Sequence, residues 1–104
     1  MNGLKLMKCS ELAQAKQERP NLKVLDVRDV SEYTADHSHI KESVNISLGR
    51  LPYVWDKELN PEDEVIIVTP KWSEGILAAR KLKKAGFTSL SYLTDNCKGC
   101  PSNR

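Results

Sequence analysis

The residues best suited to covalent chemistry in this chain are three cysteines, Cys9, Cys97 and Cys100, the last two spaced as C-x-x-C. A thiolate is a nucleophile and a sulfur carrier, and two thiols at that spacing can form a redox pair. Lys98 lies between them and Lys8 beside Cys9, cations of the kind that lower a thiol pKa. Zinc is a second use for the pair, but a tetrahedral site wants four ligands, and only Cys9 plus a histidine would complete it. The third possibility is that the pair does nothing and stands in an irregular tail. His37 and His39 flank Ser38 in what reads as a surface turn; neither Cys nor Asp adjoins His39, which favours a structural role over that of ligand or base.

These residues need a scaffold, and the chain supplies an alternating one. Leu4 to Lys8, Lys23 to Val27, Ser43 to Ser47, Val65 to Thr69 and Ser89 to Leu93 read as strands separated by stretches of helical period, the pattern of a parallel sheet in an α/β domain. Val65 to Val68 is continuously apolar, as a central strand buried on both faces requires. Ser10 is the expected cap of a helix carrying Leu12, Ala13 and Ala15, stopped by Arg19-Pro20. A short helix is expected around Glu32 to His37, with Asp29 or Ser31 as its cap. Leu48 to Leu59 is ambiguous, with Tyr53 and Trp55 expected to cover one edge of the core before a turn at Asn60-Pro61-Glu62-Asp63. The next helix is expected from about Gly75 to Ala85. It places Ile76, Ala79 and Leu82 inward, Arg80, Lys81, Lys83 and Lys84 towards its C-terminus, and Gly86 at its cap. Thr94 to Arg104 has no periodicity.

Composition sets the class limits. With 104 residues the chain fills one compact domain, spanning 1–104 with an irregular tail over 94–104. Sixteen Lys+Arg against fourteen Asp+Glu leave a formal charge of +2, and the signs are interleaved, so no face reads as a nucleic-acid footprint. No apolar stretch is long enough to span a bilayer, the N-terminus has no signal-peptide core, and three cysteines do not make the disulfide framework of a small secreted domain. The chain is therefore expected in the cytoplasm, away from membranes and without a cofactor or metal.

In an open parallel sheet, ligands bind outside the carboxyl ends of the strands. The positions there are Cys9, Arg28, Leu48 to Arg50, Thr69 to Glu74 and Asp95 to Cys100. The loop at 69–74 matters most, because it feeds a helix N-terminus whose free N–H groups and dipole stabilise an anion.

The stretch VLDVRDVSEYTADHSHIKESVNIS, Val24 to Ser47, resembles the signature of rhodanese-like domains, D-V-R-x-x-x-E-F/Y, then G-H-I-x-G-A, then N-I-P. Asp26, Val27, Arg28, Glu32, Tyr33, His39, Ile40, Asn45 and Ile46 match. Lys83-Lys84-Ala85-Gly86-Phe87 is similar to the family's K-x-A-G-F. The resemblance implies a three-layer α/β sandwich, with a central five-strand parallel sheet in the order 1-5-4-2-3 flanked by helices. It also implies structural roles for Asp26, Arg28, Glu32, His39 and Asn45, with Asp26 and Arg28 forming a buried or half-buried ion pair in preference to a catalytic one, and His39 tying its turn to the backbone.

The departures bear on function. Rhodaneses are sulfurtransferases that carry sulfur as a persulfide on a cysteine opening the loop, usually within C-x-x-G-x-R. Counted back from Ala85-Gly86-Phe87, that cysteine position is Thr69, the glycine Trp72 and the arginine Glu74, so the loop Thr69, Pro70, Lys71, Trp72, Ser73, Glu74 is degenerate. A threonine hydroxyl is no sulfur carrier, and a carboxylate at Glu74 repels thiosulfate or phosphate. The phosphatase loop C-x5-R known on this scaffold is lost with it. Two residues more than the family spacing separate Glu32 from His39, and Ser38 and Glu42 stand where the family has glycines. Two readings follow. In one, the domain is a binding or regulatory module without ordinary thiosulfate sulfurtransferase activity, presenting the degenerate loop and Trp72 to a protein partner. In the other, it is a thiol-based sulfur carrier or redox enzyme using Cys97 and Cys100, with a sulfur donor or acceptor protein as partner.

Overall fold

The structure, a computed structural model, describes residues 4–35 and 42–94. Five parallel strands form one sheet: β1 Leu4–Met7, β2 Leu22–Asp26, β3 Val44–Asn45, β4 Glu64–Val68 and β5 Ser89–Leu93, in the order β1-β5-β4-β2-β3. The helices are α1 Cys9–Glu18, α2 Val30–Ala35, α3 Leu51–Val54 and α4 Trp72–Lys84, with a 3-10 turn at Trp55–Lys57. None of them is long and apolar enough to cross a membrane among the described residues.

Side chains alternate across a strand, and the core divides accordingly. Leu25, Val27, Val65, Ile67 and Leu90 point into one cluster with Leu51, Ala78, Ala79, Leu82 and Phe87. Val24, Ile66 and Leu93 point to the other, against Cys9, Leu12 and Ala15 of α1. The sheet is thus sandwiched between α1 on one face and α3 with α4 on the other. Val65, Ile66 and Ile67 are all fully buried, as a strand covered on both faces must be.

Several boundaries differ from expectation for local reasons. Ser10 is not the cap of α1: the helix begins at Cys9, two residues earlier than a Ser10 cap implies, with Lys8 at the cap position, where the Lys8 N–H donates to Glu11 Oε1 at 2.8 Å. In α2, Ser31 lies inside the helix and the Asp29 carbonyl accepts the Tyr33 N–H at 3.0 Å. Strand β3 keeps only two of the five expected residues. Tyr53 does not cover the core, being 81 % exposed; Trp55 does, edge-to-face on Phe87 with ring centroids 5.3 Å apart. Helix α4 starts at Trp72, not Gly75, and Ile76 is only half-buried, because Gly75, Ala78, Ala79 and Leu82 form the face against the sheet. Gly86 ends α4 with φ of 107°, a left-handed conformation that glycine adopts without strain, and the Phe87 N–H closes on the Leu82 carbonyl at 3.0 Å. The turn at Asn60–Asp63 is closed twice, by Asn60 N–H to Asp63 Oδ2 at 2.9 Å and Glu62 N–H to Asn60 Oδ1 at 2.9 Å.

Candidate functional site

The carboxyl ends of β4, β2, β5 and β1 face one edge, where three arrangements meet. The first is the loop after β4. Thr69 is only 5 % exposed, and its hydroxyl donates to Glu74 Oε1 at 3.0 Å. Glu74 lies in the first turn of α4, where the partial positive charge of the helix favours a carboxylate. The chain therefore supplies its own anion at the helix end that would otherwise attract one.

Tyr92 completes the closure. From β5 its hydroxyl donates to the Thr69 carbonyl at 2.8 Å, and burial raises its pKa, which keeps the donating proton in place. Its ring meets Trp72 edge-to-face at 4.8 Å. Trp72 thus opens α4 and covers Tyr92 while leaving 48 % of its own surface in solvent. Pro70, Lys71 and Ser73 are exposed around it. Sequence reasoning missed Tyr92; its signal was a single polar-tipped aromatic in a strand of otherwise small and aliphatic residues.

Gly75 permits this arrangement, because a Cβ there would stand 2.7 Å from Tyr92 Cδ1 and Cε1. Gly75→Ala gains helix propensity of up to about 1 kcal/mol. It also collides with a ring pinned by Trp72 and by the Thr69 carbonyl, an overpacking cost of about 1–3 kcal/mol. We expect a net loss, read as a lower urea midpoint with an unchanged slope; a midpoint equal to or above that of the parent protein contradicts it.

The second arrangement is the ion pair after β2. Arg28 Nε donates to both Asp26 oxygens at 3.0 and 3.1 Å, and Arg28 Nη2 to Asp26 Oδ2 at 2.8 Å. Asp26 is 2 % exposed. Asn45 Nδ2 bridges the carbonyls of Asp26 and Arg28, each at 3.0 Å, so three of the motif residues form one network. Glu32 is exposed on α2 and takes no part in it. His37 and His39 lie outside the described residues.

The third arrangement concerns the cysteines. Cys9, at the start of α1, is 4 % exposed and is disulfide-bonded. The chain has two other cysteines, Cys97 and Cys100, which lie outside the described residues. Strands β1 and β5 pair in the register Met7↔Leu93, and the Thr94 N–H continues the ladder to the Met7 carbonyl at 2.9 Å. Cys9 and Thr94, the last described residue after β5, therefore follow strand ends that lie side by side. Among the described residues, no group of three or more His, Cys, Asp or Glu is placed to hold a metal ion.

With this geometry in view, comparison with known proteins is decisive for family. The profile of the Rhodanese-like domain family matches residues 9–99. The chain belongs to the rhodanese-like family. Over 67 residues it is 39 % identical to the "Putative sulfur carrier protein YrkF" of Bacillus subtilis (strain 168), a match covering 64 % of this chain and 35 % of that protein. The match thus spans about a third of that relative's length. Among solved structures it is similar to the Alr3790 protein of Anabaena sp., with a TM-score of 0.76, 22 % identity, and coverage of 86 % of this chain and 80 % of that one. It is also similar to a rhodanese-related protein of Thermoplasma volcanium, with a TM-score of 0.68, 20 % identity, and coverage of 86 % and 83 %. These two likenesses concern the fold.

Proposed function

We propose that this rhodanese-like domain handles sulfane sulfur on its C-terminal cysteines, Cys97 and Cys100, while the loop at 69–74 takes no covalent part. The observation that carries this reading is the disulfide at Cys9, beside the edge of the sheet where β1 and β5 end. Its complement is the Thr69 hydroxyl held by Glu74, an arrangement with no sulfur carrier in it. The likeness to a protein described as a sulfur carrier supports it. We also propose a cytoplasmic location, where disulfides are characteristically transient, catalytic or redox-sensing.

The loading step is simple. A thiolate of the C-x-x-C attacks the outer sulfur of thiosulfate, the S–S bond of the donor breaks, and sulfite leaves with its electron pair, giving a cysteine persulfide. Lys98 offers the positive charge that favours the attacking thiolate.

The test is to reduce the protein, incubate it with thiosulfate or mercaptopyruvate, and look for an added sulfur atom by intact mass. We expect loading in the parent and in Thr69→Ala, and its loss in Cys97→Ser or Cys100→Ser. Absence of added sulfur, together with no reversible thiol titration, overturns the reading. A second reading then takes its place: a regulatory module that presents the closed loop to a protein partner. It is favoured by one observation, the half-exposed indole of Trp72 at the mouth of that loop.

A further inference from the structure

Helix α4 carries two kinds of side chain, one after the other, along the face it turns to solvent. Residues four apart are neighbours on a helix surface, so Trp72, Ile76, Arg80 and Lys84 form one row, with Leu77 and Lys81 in the row beside it. The opposite face, Gly75, Ala78, Ala79 and Leu82, is buried. The first half of the outward rows is apolar: Trp72 is 48 % exposed, Leu77 44 % exposed and Ile76 half-buried. The second half is cationic, with Arg80 and Lys84 exposed and Lys81 half-buried. At a rise of 1.5 Å per residue, the row from Trp72 to Lys84 is about 18 Å long.

Neither half serves the helix itself. Apolar side chains left in solvent contribute nothing to the core, and a contiguous apolar patch beside charge marks an interaction surface. Arg80 and Lys84 stand four apart, and Lys81 and Lys84 three, spacings at which like charges weaken a helix. The partial negative charge at the helix end favours cations in the last turn, but Arg80 precedes that turn. The single carboxylate of α4, Glu74, lies in the first turn and accepts the Thr69 hydroxyl. Among the described residues, no carboxylate forms an ion pair with Arg80, Lys81 or Lys84.

We propose that this face of α4 docks an acidic segment of a partner protein, with an apolar side chain seated on Trp72 and Leu77 and carboxylates against Arg80, Lys81 and Lys84. Complementarity of charge names the sign of the partner, and the apolar half of the rows names its class. A nucleic-acid backbone calls for cations along its whole length, and here they fill only one half. A bilayer surface takes a helix with a continuous apolar stripe, and that stripe of α4 is already packed against the sheet. An indole at one end of the patch is the kind of side chain on which binding energy concentrates. The proposal goes beyond sulfur handling and does not depend on it, since none of these residues carries sulfur.

The test is fluorescence anisotropy on the full chain with fluorescein-labelled peptides in which a leucine pair is joined, through glycine spacers of increasing length, to a run of glutamates. At least one spacer should bind the parent protein, and binding should weaken as added salt screens the charges. It should fall by about tenfold or more in Leu77→Ser and in the double variant Arg80→Glu with Lys84→Glu. Leu77, Arg80 and Lys84 are all exposed, so the urea midpoints should stay near that of the parent and lost binding is not lost folding. Peptides with lysines in place of the glutamates should bind the charge-reversed double variant better than the parent. Trp72→Ala also uncovers Tyr92, so its effect is read beside that of Leu77→Ser. Absence of binding at every spacer, or binding unchanged in the variants, overturns the proposal. So does tighter binding of single-stranded oligothymidylate, or of phosphatidylglycerol vesicles, than of any peptide. Each of those results leaves sulfur loading from thiosulfate, measured by intact mass, to stand or fall by itself.

Discussion

Replacing Arg28 by alanine is expected to cost about 3–5 kcal/mol, because it strands the Asp26 carboxylate in a place it cannot leave. Among the described residues, that carboxylate is held at 2.8–3.1 Å by Arg28 alone of the side chains and sits beneath the network that Asn45 ties to β3. Small domains have about 5–15 kcal/mol to lose, so the variant should be largely unfolded well before the parent in a urea titration. Arg28→Lys keeps the charge but not the planar fork, and should fall between the two. Removing both charges in Asp26→Leu with Arg28→Met should cost less than removing Arg28 alone, since an apolar pair of similar volume avoids the buried unpaired anion. A loss below about 1 kcal/mol for Arg28→Ala, typical of an exposed pair, would show that the contact is ornamental.

The second large effect concerns the closed loop. Thr69→Cys puts a thiol at the position that the count back from Ala85-Gly86-Phe87 assigns to the family's sulfur-carrying cysteine, yet we expect almost no thiocyanate formation from thiosulfate and cyanide. Glu74, already within 3.0 Å of the Thr69 oxygen, would hold a negative charge against the thiolate, and a like charge at that distance disfavours ionisation. Adding Glu74→Arg reverses the sign, and an opposite charge lowers a neighbouring pKa by about 1–3 units. The double variant should therefore exceed the single one by about a hundredfold in thiocyanate formation at neutral pH, with the gap narrowing as pH rises and both thiols ionise. Equal rates for the two would mean that the loop's backbone, not Glu74, closes the site.

How much of this could be read from the chain depends on the range of the forces involved. Strand β4 was legible because a run of Val and Ile between a turn and a loop has one stable place, the middle of a parallel sheet. Strand order was legible through the likeness of Val24–Ser47 and Lys83–Phe87 to a known family, not through periodicity. The partnership of Asp26 with Arg28 was near at hand in sequence and is near in space. Misreadings arose where a distant partner decides the outcome. Tyr53 and Trp55 look equivalent until Phe87 takes one of them. The start of α4 moves to Trp72 because its indole finds Tyr92, twenty residues on. Tyr92 itself escaped notice, since its polar-tipped ring does not say that the hydroxyl ends on the Thr69 carbonyl, twenty-three residues back.

The sheet's two outer strands also differ in a way that bears on solubility. At one side β3 offers only Val44 and Asn45, too short a row of open peptide groups to template another chain. At the other, β1 carries Leu6, 63 % exposed, but places Lys5 beside it on the same four-residue strand. A charge next to an unavoidable apolar residue is a common guard against edge-to-edge pairing. The fold that ends β1 and β5 side by side thus keeps its flanks poor in the contacts from which fibrils grow.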